Sequence, residues 1–261
     1  MLLQTENLTK RFGGLVAVES LNLQVREGEI LGLIGPNGAG KTTMFNLLTG
    51  VHKASEGSVH FGGVDITRKA VHEIAQMGMA RTFQNIKLFG SLSVEDNVKI
   101  ALYPKSKVNM LNSILMTRTY REEMERIEQK AYELLAMVGL ESKGKHQASS
   151  LAYGEQRYLE IIRALATDPT LLILDEPGAG MNGTESEQLV EHIRKIRSAG
   201  HTVLLIEHDM SVIMEVCERI YVINFGKQIA EGTPLQIQNN TKVIEAYLGE
   251  EDAEDYVHAG N

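Results

Sequence analysis

The residues with the clearest chemical purpose lie between Gly35 and Thr43. Gly35-Pro36-Asn37-Gly38-Ala39-Gly40-Lys41-Thr42 fits the pattern G-x-x-x-x-G-K-[ST], and Thr43 follows it directly. Glycines let a tight loop aim successive backbone N–H groups at one point, and a helix starting there adds the positive end of its dipole. The chemistry that suits such a loop is the binding of a nucleotide's phosphates. Lys41 is then placed to reach the β- and γ-phosphates as a point charge, and the Thr42 hydroxyl to ligate Mg²⁺. A second acidic centre follows far downstream, where Leu171-Leu172-Ile173-Leu174 ends in Asp175-Glu176. Carboxylates at the carboxyl end of a buried strand sit where a phosphate-bound metal and an attacking water need them. Asp175 is expected to hold Mg²⁺ through water, and Glu176 to orient or deprotonate the water that attacks the γ-phosphate.

The elements around these residues have the required form. Ile30 to Ile34 is a compact apolar run that enters the glycine turn, and the stretch after it reads as a helix closed by Gly50. Leu171 to Leu174 and Val203 to Ile206 are continuous apolar runs separated by an amphipathic stretch from Glu185 to Arg197, the alternation of parallel strands with crossover helices. Before residue 30, short apolar stretches broken by Gly13-Gly14 and Glu27-Gly28-Glu29 predict antiparallel strands, and Gly57 to Thr67 predicts a hairpin around Gly62-Gly63. From about Ser93 the pattern turns helical, with Met124, Ile127, Ala131, Leu134, Leu135 and Val138 at three- and four-residue spacing. The expectation is an α/β core split by a helical insertion of roughly residues 86 to 160.

Composition narrows the function classes. With 261 residues and 43% apolar content the chain can fill a core, and no apolar run is long enough to span a bilayer. The single cysteine, Cys217, excludes an internal disulfide and is expected to pack in a helix. A net charge of −8 argues against nucleic acid as a partner, as do an aromatic content of 5% and the lack of tryptophan. Glu250, Glu251, Asp252, Glu254 and Asp255 carry five of those negative charges, so residues 250–261 read as a solvated tail.

Further motifs separate the many users of a phosphate loop. Gln84 stands in Ala80-Arg81-Thr82-Phe83-Gln84, ahead of the helical segment; Leu151-Ala152-Tyr153-Gly154-Glu155-Gln156 precedes an amphipathic helix; and Ile206-Glu207-His208-Asp209 closes the second apolar run. In this order the chain resembles the nucleotide-binding subunits of ATP-binding cassette (ABC) transporters over nearly its full length. More narrowly, Lys10-Arg11-Phe12-Gly13-Gly14, the Gln84 and Gly154 segments and the ending Ala246-Tyr247-Leu248-Gly249-Glu250 resemble ATPase subunits of branched-chain amino acid importers.

That resemblance implies a phosphate-loop ABC ATPase fold: a mixed, mostly parallel sheet with an antiparallel β subdomain (about 1–85 and 161–249) and an inserted helical subdomain (about 86–160). It implies ATP and Mg²⁺ as cofactors and a head-to-tail dimer, in which each ATP lies between the phosphate loop of one subunit and the signature of the other. Phe12 matches the aromatic that stacks on adenine, and Val18 is expected to line the same face. Gly35, Pro36, Asn37, Gly38, Ala39, Gly40, Lys41, Thr42 and Thr43 match the phosphate loop. Gln84 matches the glutamine that touches Mg²⁺ and water, and His208 the histidine that contacts the γ-phosphate and holds Glu176. Leu151, Ala152, Tyr153, Gly154 and Glu155 match the signature that meets the partner's ATP. Here Ala152 replaces the usual serine, Tyr153 a glycine and Glu155 a glutamine, and Asn182 stands where many relatives have aspartate. An incomplete signature beside a complete catalytic set implies a heterodimer with a second ATPase subunit, with a homodimer in isolation as the alternative. Two integral membrane permease subunits and, indirectly, a periplasmic or extracellular solute-binding protein are the implied partners, at the cytoplasmic face of the cell membrane. Met77, Met79, Ile86, Leu88 and Phe89 are candidates for a groove that receives a permease helix. A urea or lipopolysaccharide transporter ATPase, a soluble cassette protein and a regulatory module without turnover are the alternatives.

Overall fold

The computed structural model describes residues 1–105 and 116–248. The acidic tail and part of the 103–120 stretch, which no motif explains, lie outside the described residues. The chain begins with β1 (Leu3–Phe12), β2 (Leu15–Leu21) and β3 (Gln24–Val25), then β4 (Ile30–Ile34) and helix α1 (Lys41–Leu48). The hairpin β5 (Glu56–Phe61) and β6 (Val64–Asp65) turns at Gly62 and Gly63, whose φ of 56° and 78° give the mirror-image turn that matches strand twist. Next come α2 (Val71–Gln76), β7 (Met79–Arg81), α3 (Val94–Leu102), α4 (Arg118–Ala136) and α5 (Tyr153–Leu165). Then β8 (Leu171–Asp175), α6 (Gly183–Ser198), β9 (Thr202–Ile206), α7 (Met210–Val216), β10 (Arg219–Asn224), β11 (Lys227–Gly232) and α8 (Pro234–Gln238) complete the core, with residues 241–248 helical.

The strands form two sheets. One is antiparallel, in the order β2-β1-β5-β6, with β3 also paired to β1; the other runs β11-β10-β4-β9-β8-β7 and is parallel except for the β10–β11 hairpin. Every residue of β4, β8 and β9 is buried, the condition of strands covered on both faces. Alternation then divides the core. Ile30, Ile34, Leu172, Leu174, Val203 and Leu205 face a layer built with α3 to α7, whereas Leu31, Leu33, Leu171, Ile173, Leu204 and Ile206 face α1 and the antiparallel sheet. Ser93 caps α3 by accepting from Asp96 N at 3.0 Å, and Ile127, Ala131, Leu134 and Leu135 form the buried stripe of α4. Cys217 is buried but lies one residue beyond α7 rather than within it. Gly32 makes room for it, since a Cβ there would stand 2.9 Å from the thiol sulfur. Among the described residues, no helix is long and apolar enough to cross a membrane.

Candidate active site

The turn from β4 into α1 carries the phosphate loop. Gly38 and Gly40 have φ of 74° and 103°, which only glycine adopts freely, and a Cβ on Gly40 would stand 2.5 Å from the Ala17 carbonyl oxygen. The loop is therefore seated on β2. Its backbone closes through Ala39 N to Pro36 O (3.1 Å), and Met44 N donates to Gly40 O at 2.9 Å to begin the helix. Lys41 is buried, and its ammonium donates to the carbonyls of Gly35 and Pro36, the latter at 2.9 Å. Thr42 is exposed at the start of α1.

Across from this loop, β8 ends in Asp175 and the chain bends sharply at Glu176, with φ of 47°. A non-glycine residue in that region is uncommon. Glu176 N donates to Ile206 O at 2.8 Å, which fixes the bend against β9. From the loop after β7, Gln84 Nε2 donates to Glu176 Oε2 at 3.0 Å. Burial, then the neighbouring Glu176 charge, push the Asp175 carboxyl up to about 6, while Arg81 and Arg157 pull it the other way. A buried carboxyl whose ionisation is disfavoured by burial and by a neighbouring carboxylate has a use for a cation.

Phe12, Leu15, Val16, Ala17, Asn37 to Thr43, Gln84, Glu176, Phe225 and Gly226 line one cleft of about 500 Å³. Phe12, the phosphate loop, Gln84 and Glu176 thus come together. Gly35 and Pro36 are buried beneath the loop, and Asp175 is 9% exposed at the strand end. Val18 is a correction. It is fully buried in the core, because β2 carries an extra residue between the pairs Lys10–Val18 and Arg11–Val16; this bulge at Ala17 leaves Val16 and Ala17 on the cleft and turns Val18 inward. His208 is also not part of the cleft lining. Its imidazole is 57% exposed and lies 3.8 Å from Glu207.

The signature residues stand apart from this cleft, at the start of α5. Leu151 and Gly154 are buried, Tyr153 and Ala152 exposed, and Glu155 pairs with Lys143 at 2.5 Å. The Gly154 backbone lies against Glu185, where a Cβ would meet Oε1 at 2.7 Å, and the Tyr153 ring lies against Gly180.

Several residues that position the site escape motif reading. Arg157, 2% exposed on α5, donates to the backbone carbonyls of Phe83 (2.8 Å) and Gln84, pairs with Glu160 at 3.3 Å and lies 3.5 Å from the Tyr153 hydroxyl. Glu160 in turn accepts from Lys87 N at 3.2 Å. The Gln84 loop is thereby clasped by the signature helix. Glu207, wholly buried, accepts from the backbone N–H groups of Gly178 (2.6 Å), His208 (3.1 Å) and Asp209 (3.4 Å), so it ties the loop after Glu176 to the loop after β9. Burial pushes its carboxyl up. The sequence signal was present as charged residues on otherwise apolar positions: Arg157 and Glu160 three apart on the buried face of a helix, and Glu207 directly after an apolar run.

A second cavity, about 640 Å³, opens between the parallel sheet and the helical layer, with Met79, Arg81, Phe83, Phe89, Ile100 and Arg163 among its walls. Of the five groove candidates, Met79 and Phe89 line it. Leu88 packs on the helical core and Met77 on the opposite one. Ile86 is half-buried outside the lining.

A phosphate cradle at a strand–helix junction, two acids at the end of a neighbouring parallel strand and a helical layer that grips the glutamine loop define an ATP-binding cassette. The chain belongs to the ABC transporter family, whose model matches residues 18–179. A second model, described as branched-chain amino acid ATP-binding cassette transporter, matches residues 227–253. The chain is 44% identical to the high-affinity branched-chain amino acid transport ATP-binding protein LivG of Escherichia coli K12, covering 95% of this chain and 98% of that one. The same identity and coverage hold for BraF of Pseudomonas aeruginosa. Among solved structures, an ABC transporter cassette in its ADP conformation superposes with a TM-score of 0.82 at 33% identity, covering 95% of this chain and 98% of that chain. A dimeric cassette bound to ADP and phosphate gives 0.75 at 27% identity, covering 89% and 99%.

Proposed function

We propose that this chain is the ATP-hydrolysing subunit of an importer of branched-chain amino acids, acting at the cytoplasmic face of a membrane through permease subunits. The observation that carries the hydrolytic reading is the 3.0 Å hydrogen bond that brings Gln84 to Glu176 at the mouth of the phosphate-loop cleft. ATP lies with its phosphates on Gly35 to Thr43 and its base toward Phe12. Glu176 takes the proton of the attacking water, Gln84 holds both in line, and Lys41 offsets charge on the γ-phosphate. His208 reaches the γ-phosphate once nucleotide is bound; its exposure leaves it free to turn.

Mg²⁺ fits the donor set. Thr42 supplies an exposed hydroxyl, Asp175 a carboxyl whose ionisation is disfavoured by burial and by Glu176, and Gln84 an amide oxygen, all hard ligands of the kind that leave room for water. The ion supplies charge neutralisation at the β- and γ-phosphates.

The separation of Leu151–Glu155 from the chain's own cleft supports a head-to-tail dimer in which the signature meets a partner's ATP. Ala152 offers that ATP no hydroxyl, which favours a second, different ATPase subunit. Residues 1–249 act as one cassette, with residues 86–160 as its helical part. The 640 Å³ groove takes a permease helix, and substrate selectivity resides in the permease and a solute-binding protein.

The test is ATP turnover by the chain alone and after reconstitution with candidate ATPase and permease subunits. Slow turnover alone, rising severalfold in the assembled transporter and stimulated by leucine with its binding protein, is the expected result. Fast turnover independent of partners would refute the composite-site reading, and stimulation by urea but not by leucine would refute the substrate.

A further inference from the structure

The β10–β11 hairpin breaks a rule of turn chemistry at a site facing the nucleotide cleft. Its register pairs Asn224 with Lys227, leaving Phe225-Gly226 as a two-residue loop. Both loop residues have positive φ, 47° and 75°, and such a turn selects Asn-Gly or Asp-Gly because a short polar side chain tolerates the left-handed region. A phenylalanine in the first position carries the strain of that region. It is also 83% exposed, more than any other large apolar side chain among the described residues. A local rule broken without a packing gain marks a functional position.

The loop is not free to fold Phe225 away. Glu19 N donates to Gly226 O and Gly226 N to Ala39 O, each at 2.8 Å, and Lys227 pairs with Glu19 at 3.3 Å. A Cβ on Gly226 would stand 2.7 Å from the Ala17 carbonyl oxygen, so the turn lies flush on β2 beside the phosphate loop. Phe225 and Phe12 both line the 500 Å³ cleft. Phe12 is 43% exposed, with Lys10 Nζ 4.9 Å from its ring centroid and His52 edge-on at 5.4 Å.

We propose that Phe225 is a second aromatic contact for the purine base of the bound nucleotide, held by the hairpin on the cleft that Phe12 also lines. This rests on the nucleotide reading of the cleft given above. The base, not the phosphates, is the group that an aromatic ring recognises by stacking. The turn accepts its strain because the ring gains a partner when nucleotide enters.

The experiment uses the full chain and two ligands, MgATP and Mg-tripolyphosphate, which share phosphates but not a base. Phe225→Asn installs the residue the turn prefers, so the variant is expected to melt at or above the wild-type temperature while binding MgATP about tenfold more weakly, with tripolyphosphate affinity unchanged. Because the protein has no tryptophan, Phe225→Trp adds a single indole that can be excited apart from the tyrosines, expected to be quenched by MgATP and not by tripolyphosphate. Unchanged MgATP affinity in Phe225→Asn, or equal weakening of both ligands, would overturn the proposal. Lys41→Ala is the control for the reading beneath it. If wild type binds neither ligand, or Lys41→Ala binds both as tightly as wild type, the nucleotide reading itself fails and takes the proposal with it.

Discussion

Gln84 and Glu176, 92 residues apart in the chain, meet through a 3.0 Å hydrogen bond at the mouth of the phosphate-loop cleft. One comes from the loop after an edge strand, the other from a left-handed bend at the end of a central strand. The contact ties the helical layer to Glu176, the base in the proposed reaction, because the same loop is gripped from behind by Arg157. Glu176→Gln keeps the shape and removes the base. ATPase activity is expected to fall at least a hundredfold with ATP affinity within about threefold of wild type, the range lost with a general base. Turnover within tenfold of wild type would remove Glu176 from the chemistry.

The buried Arg157–Glu160 pair predicts a mixed phenotype. Arg157→Ala strips the carbonyls of Phe83 and Gln84 of their donor and leaves Glu160 buried without its cation. Breaking such a pair from one side costs about 3–5 kcal/mol. Urea denaturation should show a loss of this order, with Arg157→Lys recovering part of it. At matched folded fraction, kcat should fall more than ATP affinity, since the loop that carries Gln84 is loosened. A stability loss below about 1 kcal/mol would mean that the clasp is incidental.

Strand runs, glycine turns and the three- and four-residue helical spacing were legible because each is a local rule: β4, β8, β9 and α4 lie where their apolar residues predict. The strand–glycine turn–helix at Gly35 to Thr43 and the acidic pair at the end of β8 were legible because each is a local pattern that the flanking elements confirm in place. Val18 was not. Its direction depends on one extra residue in β2, and a bulge of that kind is set by pairing with β1, not by β2's own sequence. Arg157 and Glu207 were missed for a related reason: a buried charge is explained only by partners that long-range folding delivers, here the carbonyls of Phe83 and Gln84 and the N–H of Gly178.

His192 makes the acid limb of stability testable. It packs edge-on against Tyr158, 4.7 Å between ring centroids, and Nδ1 has no hydrogen-bond partner. Burial pulls its pKa down to about 4. Between roughly pH 6.5 and 4 the unfolded chain therefore binds the proton and the folded one does not, so stability contributed here is present at neutral pH and lost as pH falls through that window. Asp175, raised to about 6, acts with the opposite sign over part of the same range, so the readout is a difference between variants. His192→Phe keeps the ring contact and removes the titration. Its melting temperature relative to wild type should rise steadily from pH 7 to pH 4; a pH-independent offset would place the neutral-to-charged cost of His192 elsewhere.

Ala152 is the N-cap of α5, with φ of −60° and ψ of 157°, the extended backbone from which a hydroxyl reaches the first turn. No side-chain acceptor stands there. Half of a capping box is nonetheless in place, because Glu155 Oε2 accepts from Ala152 N at 3.3 Å while its other oxygen pairs with Lys143. Ala152→Ser should complete the box and add about 1 kcal/mol, a rise of about 2–4 °C in melting temperature for a chain of this size. The same hydroxyl lies on the signature, so it should also strengthen ATP-dependent self-association when introduced into Glu176→Gln, measured by sedimentation with MgATP. A chain that gains the stability but does not self-associate would show that the serine hydroxyl is not sufficient for self-pairing, and would move the argument for the proposed heterodimer to Asn182 and Tyr153. A chain that gains neither would mean that the α5 start is already fully satisfied by backbone and solvent.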